Sequence, residues 1–125
     1  MAELTSDYAS WELKGDVLVV TIKVSKLQDV EVAYSLRDQL KTLVDAHPQA
    51  TSMVLDLSMV DFVASVGFLG FLSLRRHWPG GRIILCGLSE RVCGMFQLCR
   101  LIPSEHAPTA PFELAADLPS ALAKC

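Results

Sequence analysis

Ser65 stands in the stretch LDLSMVDFVASVGFLGFL, residues 55–72, which is otherwise nearly all apolar. Asp56 and Asp61 precede it, and Gly67 and Gly70 follow. A hydroxyl at the junction of an apolar strand and an apolar helix has three uses. It can cap the helix by accepting an orphan backbone N–H. It can act as a nucleophile if a neighbouring base takes its proton. It can accept a phosphoryl group, a charge that another protein writes and erases.

The nucleophile reading asks for a G-x-S-x-G elbow. The string here is Val63-Ala64-Ser65-Val66-Gly67, without the first glycine. His106 is the base such a site would need, with Glu90 or Glu105 behind it, but it sits in a proline-rich tail with no helix or strand to aim it. No H-G-G-type oxyanion loop precedes Ser65. A small serine hydrolase is therefore the remote reading. His47, His77 and His106 are isolated from one another and from carboxylates at ligand spacing, so no metal site is expected. Neither a G-x-x-x-x-G-K-[ST] loop nor a G-x-G-x-x-G after a strand is present, and no cofactor is expected. Asp56 closes an apolar strand; it either satisfies loop N–H groups or belongs to a site. Cys86, Cys93, Cys99 and Cys125 form no C-x-x-C pair and read as buried free thiols of a reducing compartment.

The elements that must position Ser65 follow from periodicity. Trp11–Leu13 and Val17–Val24 read as strands joined by the turn Lys14-Gly15-Asp16. Leu18, Val20, Ile22 and Val24 share one face; Val17, Val19, Thr21 and Lys23 make the other only partly apolar. Asp29 caps a first helix with Val32, Leu36, Leu40, Leu43 and Val44 inward and Glu31, Arg37, Asp38 and Lys41 outward. His47-Pro48 ends it. Ser52–Leu57 is a strand, and a loop through Asp61 leads to a second helix over 65–77. Val66–Leu72 is apolar nearly all round, which predicts deep packing, with Leu69 buried. Gly67 and Gly70 disfavour a helix by about 1 kcal/mol each, which predicts a close approach of backbones there.

Trp78-Pro79-Gly80-Gly81 breaks the chain before the strand Arg82–Cys86. Ser89 caps a third helix with Val92, Met95, Phe96 and Cys99 on one stripe. Ile102–Pro111 reads as loop, Phe112 and Leu114 as a short strand, and 117–124 as a small helix with Leu118, Ala121 and Leu122 inward. Strands alternating with amphipathic helices predict an α/β fold with a mixed, mostly parallel sheet. The three long helices are expected mainly on one face, in a single domain spanning 1–125.

The 125 residues suit one core, and the net charge is −3. No basic cluster is longer than Arg75–Arg76, which argues against a nucleic-acid surface. No apolar run reaches the roughly 18 residues of a membrane span, so direct membrane insertion is not expected. Residues 1–10 show no basic-then-apolar leader. The expectation is a cytoplasmic protein.

The stretch MVLDLSMVDFVASVGFLGFLSLRRHWPGGRIILCGLSERVCGMFQLCRL resembles the STAS domain, the fold of bacterial anti-sigma factor antagonists. Asp56-Leu57-Ser58, Phe62, Ser65, Gly67, Gly80-Gly81, Ile83–Gly87 and Leu98–Leu101 occupy the matching places. The resemblance implies an interaction switch rather than an enzyme. Ser65 would be phosphorylated by an anti-sigma factor that is also a serine kinase of the histidine-kinase-like ATPase type. The unphosphorylated form would bind that partner and free a sigma factor, and a phosphatase would reset the cycle. A helix N-terminus tolerates the added charge, whereas a partner packed over it would not. The contact surface is expected at Asp56, Ser58, Asp61, Phe62, Ala64, Ser65, Val66 and Gly67. Ala64 stands where the family often has an acid, and Val66 where it often has a second serine. Family members without a usable serine act as constitutive modules, including accessory subunits of lipid-transport complexes.

Overall fold

The computed structural model describes residues 3–5, 8–104 and 109–125, with side chains from residue 8 onward. Strands β1 (Glu3–Thr5), β2 (Ala9–Lys14) and β3 (Val17–Ile22) form an antiparallel ribbon. Lys14 pairs with Val17, leaving Gly15-Asp16 as the turn, and Gly15 takes a φ of 63°. That positive φ is the requirement glycine meets there without strain. Three further strands run parallel to β3: β5 (Ser52–Asp56), β7 (Arg82–Cys86) and β8 (Glu113–Ala115). The sheet order is β1-β2-β3-β5-β7-β8. Two short strands, β4 (Lys26–Leu27) and β6 (Phe62–Val63), pair parallel in a small sheet of their own.

The helices are α1 (Val30–Ala46), α2 (Ser65–His77), α3 (Glu90–Leu98) and α4 (Leu118–Lys124). Asp29 caps α1 by accepting the Val32 N–H, and Ser89 caps α3 by accepting the Val92 N–H, both at 3.2 Å. The first three helices cover one sheet face. Leu36, Leu40, Phe71, Leu74, Val92 and Phe96 meet Leu18, Val20, Met53, Leu55, Ile83 and Leu85 there. The opposite face, Val17, Val19, Val54, Ile84 and Cys86, is covered by α4 through Ala121, Leu118 and Leu122. Arg82 ties this cover down. It grips Glu113 with two hydrogen bonds of 2.8 and 2.7 Å and donates a third, 2.7 Å, to the Lys124 carbonyl. That pairing holds the Glu113 carboxyl below its ordinary range.

The expected α/β class, mixed sheet and helix distribution are what the structure contains. Four local expectations are corrected. Leu69 is 56% exposed, so α2 is not packed all round. It buries only one stripe, Gly67, Gly70, Phe71 and Leu74. Arg37 is not a free surface cation. It lies over the Tyr34 ring at 4.5 Å and pairs with Asp38 at 2.9 Å, half-buried along the α1–α2 seam. Cys99 terminates α3 and is exposed rather than on its inner stripe, because the helix ends one residue earlier. Only Cys86 is a buried thiol; Cys93 is half-buried and Cys125 exposed.

Candidate functional site

The site grows from the C-terminal end of β5. Asp56 is half-buried, and its carboxylate accepts the Ser58 N–H at 2.9 Å. Leu57 and Val60 are buried anchors, so the chain between them can only turn outward, exposing Ser58 and Met59. The turn closes with the Val60 N–H donating to the Leu57 carbonyl at 3.0 Å. Gly87, at the end of β7, backs this turn with a φ of 71°. A Cβ there would stand 2.9 Å from the Asp56 Oδ1 and 3.1 Å from the Ser58 Cβ. Glycine is therefore required twice over, for conformation and for space.

From the turn the chain is stitched to the segment before α1. The Asp61 N–H donates to the Ser25 carbonyl at 2.8 Å, and the Ala64 N–H to the Leu27 carbonyl at 2.8 Å. Lys26 reaches across to the Asp61 carboxylate at 3.0 Å. Phe62 is half-buried under the Arg91 guanidinium, 5.5 Å from the ring centroid. These ties fix the backbone that delivers Ser65.

Ser65 does not cap α2. The N-cap is Ala64, extended at φ −88° and ψ 172°, whose carbonyl accepts the Gly67 and Phe68 N–H groups. The backbone tie to Leu27 starts the helix one residue earlier than a serine cap would. Ser65 becomes its first helical residue, exposed, with its hydroxyl in no hydrogen bond among the described residues. No acidic residue lies in the first turn of α2. Val66 is half-buried. Gly67 lies inward, where a Cβ would meet Val63 Cγ1 at 2.8 Å and the Leu27 carbonyl at 3.2 Å. Gly70 in turn faces α1, where a Cβ would stand 3.6 Å from the Ala33 carbonyl. The close approach expected of the two glycines is met at Gly67; at Gly70 a Cβ would find ordinary contact distances.

The expected site residues form one continuous outer ridge, Ser58 to Val66, with Asp56 at its base and Gly67 beneath it. Lys26, Gly87 and Arg91 also belong to it and carry no signal in local spacing. They join through chain crossings, and pattern within a single element says nothing of them. Glu105 and His106 lie outside the described residues. Among the described residues no cluster of His, Cys, Asp or Glu is arranged to hold a metal ion. No described helix is long and apolar enough to cross a membrane.

The model of the STAS domain matches residues 9–114, from β2 through most of β8. The chain belongs to the STAS domain family. No curated protein matches it. Among solved structures, this STAS domain is similar to the Bacillus cell fate determinant SpoIIAA in its phosphorylated form. The identity is 18%, the TM-score 0.66, and the match covers 93% of this chain and 97% of that one. The unphosphorylated form of SpoIIAA, an anti-sigma factor antagonist, aligns with a TM-score of 0.65. RsbS of Moorella thermoacetica is 16% identical over 98% of this chain and 91% of its own, with a TM-score of 0.66. A sulfate transporter family protein of Wolinella succinogenes is 17% identical over 87% of this chain and 84% of its own, with a TM-score of 0.65. At these identities the likeness is one of fold. The same fold is thus found both in an anti-sigma factor antagonist and in a sulfate transporter family protein.

Proposed function

We propose that this protein is an anti-sigma factor antagonist-like interaction switch, and not an enzyme. In its unphosphorylated form it binds an anti-sigma factor of the histidine-kinase-like ATPase type in the bacterial cytoplasm. That partner phosphorylates Ser65, and a phosphatase returns it. The observation that carries the reading is the state of Ser65: exposed, first in its helix, and free of the capping bond that would otherwise engage its hydroxyl. A kinase needs such a hydroxyl. Phosphorylation adds about −1.5 to −2 charges and three acceptor oxygens. The helix N-terminus tolerates them, while a partner seated on the Ser58–Val66 ridge loses its fit.

A second reading is a phosphorylation-independent STAS module of a signalling or lipid-transport complex. It is favoured by Ala64 and Val66, which remove the acid and the second serine from the acceptor motif. One experiment separates the two. The protein and its Ser65→Ala and Ser65→Asp forms are compared for binding to the ATPase recovered with it from its own cells, and for phosphate on residue 65 after incubation with ATP. The switch requires phosphate on the parent, none on Ser65→Ala, retained binding by Ser65→Ala and at least tenfold weaker binding by Ser65→Asp. Equal binding by all three forms with no phosphate on Ser65 establishes the constitutive module instead. Lack of labelling by a fluorophosphonate disposes of the serine hydrolase.

A further inference from the structure

We infer that phosphate on Ser65 is received within the chain by Arg91, which leaves the face of Phe62 to pair with it. The inference rests on reading Ser65 as a phosphoryl acceptor. Arg91 is exposed in the first turn of α3, with its guanidinium over the Phe62 ring. Phe62 opens β6, and the chain runs from it through Val63 and Ala64 directly to Ser65. A second contact places α3 on the same side. Phe68 meets Phe96 of α3 edge-on at 4.9 Å. Residues three apart are neighbours on a helix surface, so Ser65 lies one turn before Phe68, at the exposed border of the side of α2 that meets α3.

Among the described residues, the cations bordering this segment are Lys26 and Arg91. Lys26 is held by Asp61. Arg91 has no ion pair among the described residues; it lies over the ring of Phe62. Of the acids nearby, Asp61 is on Lys26, Asp29 caps α1, and Asp56 accepts the Ser58 N–H. Glu90 is exposed beside Arg91 in the sequence. A guanidinium matches a phosphate with two parallel N–H···O bonds. That charge-assisted pair is stronger than a solvent-exposed contact with an aromatic face. Phosphorylation therefore exchanges a cation-covered ring for a bare ring beside a paired phosphate. The ridge changes its surface chemistry while the backbone beneath stays stitched in place.

The test installs phosphoserine at position 65 during translation, so that no kinase is involved. The 31P resonance of this protein is titrated beside that of an Arg91→Gln form. Arg91→Lys, which keeps the charge and loses the fork, is the third sample. The second ionisation of the phosphate is expected to lie lower in the parent than in Arg91→Gln by roughly 0.5 unit or more, with Arg91→Lys between them. The Phe62 ring resonances are expected to move on phosphorylation in the parent and to stay unchanged in Arg91→Gln. Equal midpoints in parent and Arg91→Gln overturn the inference. Failure of a cellular kinase to modify Ser65 overturns the switch and leaves the titration result standing, so the two failures are distinguishable.

Discussion

Ser65 and Gly67 lie two positions apart and have opposite tolerances. Ser65→Ala removes a hydroxyl that makes no cap, so denaturant unfolding should place its stability within about 0.5 kcal/mol of the parent. A loss near the 1 kcal/mol typical of a cap would show that the hydroxyl is engaged after all. Gly67→Ala pits two effects against each other. Alanine favours a helix by about 1 kcal/mol over glycine. Its methyl, however, would enter space held by Val63 Cγ1 at 2.8 Å and the Leu27 backbone at 3.2 Å. Valine is stiff at χ1, and the Leu27 carbonyl is already hydrogen-bonded to Ala64, so neither gives way freely. Overpacking of this kind costs roughly 1–3 kcal/mol. Gly67→Ala should therefore lower the unfolding midpoint, and a raised midpoint would mean that the α2 start can slide outward.

At the scale of elements, α2 is the informative case. Its buried stripe runs Gly67, Gly70, Phe71 and Leu74, while Leu69 points to solvent. Leu74→Ala should cost about 2–5 kcal/mol as a large-to-small change in a filled core. Leu69→Ala should stay within about 0.5 kcal/mol. Equal shifts in chemical denaturation for the two would contradict the helix orientation. The main strands and all four helices were legible in the sequence, because their apolar period or caps repeat within one element. The facing of α2 was not, because a helix apolar on several sides carries no stripe to read. The pair β4 and β6 was also invisible: two residues each show no period, and the pairing joins chain segments far apart. The same limit explains the site. The ridge from Ser58 to Val66 could be read because it is one stretch, whereas Lys26 and Arg91 arrive through tertiary packing. Serine is a favoured cap by type, which makes Ser65 a candidate in the sequence, and the tie from Ala64 to Leu27 is what moves the cap to Ala64.

At the scale of the whole molecule, the two sheet faces differ in what protects them. Cys86 lies in the face covered by α4, and burial, with Asp56 and Asp117 adding to it, pushes its thiol up to about 11. The folded state therefore holds this proton where the unfolded chain, near 9, has released it. Stability is then full below pH 9 and declines as pH rises from 9 towards 11, by up to roughly 2 kcal/mol. Cys86→Ala should flatten that alkaline decline in urea melts taken across the range. An unchanged slope would assign the decline to other groups. Under native conditions near neutral pH, Cys99 and Cys125 should react with a maleimide and Cys86 should not.

The thinness of that cover has a consequence for self-association. One short helix and the grip of Arg82 on Glu113 and Lys124 stand between solvent and a face made of Val17, Val19, Val54, Ile84 and Ala115. Bare sheet faces of this kind stack on one another about 10 Å apart, as in a sandwich. A chain stopped after Ala116 keeps the larger core under α1, α2 and α3 and loses the cover. It should sediment as a species whose mass grows with concentration, while the full chain does not. Arg82→Ala should fall between them. In this sense α4 works as a stopper: it closes a surface through which two copies of the domain could fuse into a common core.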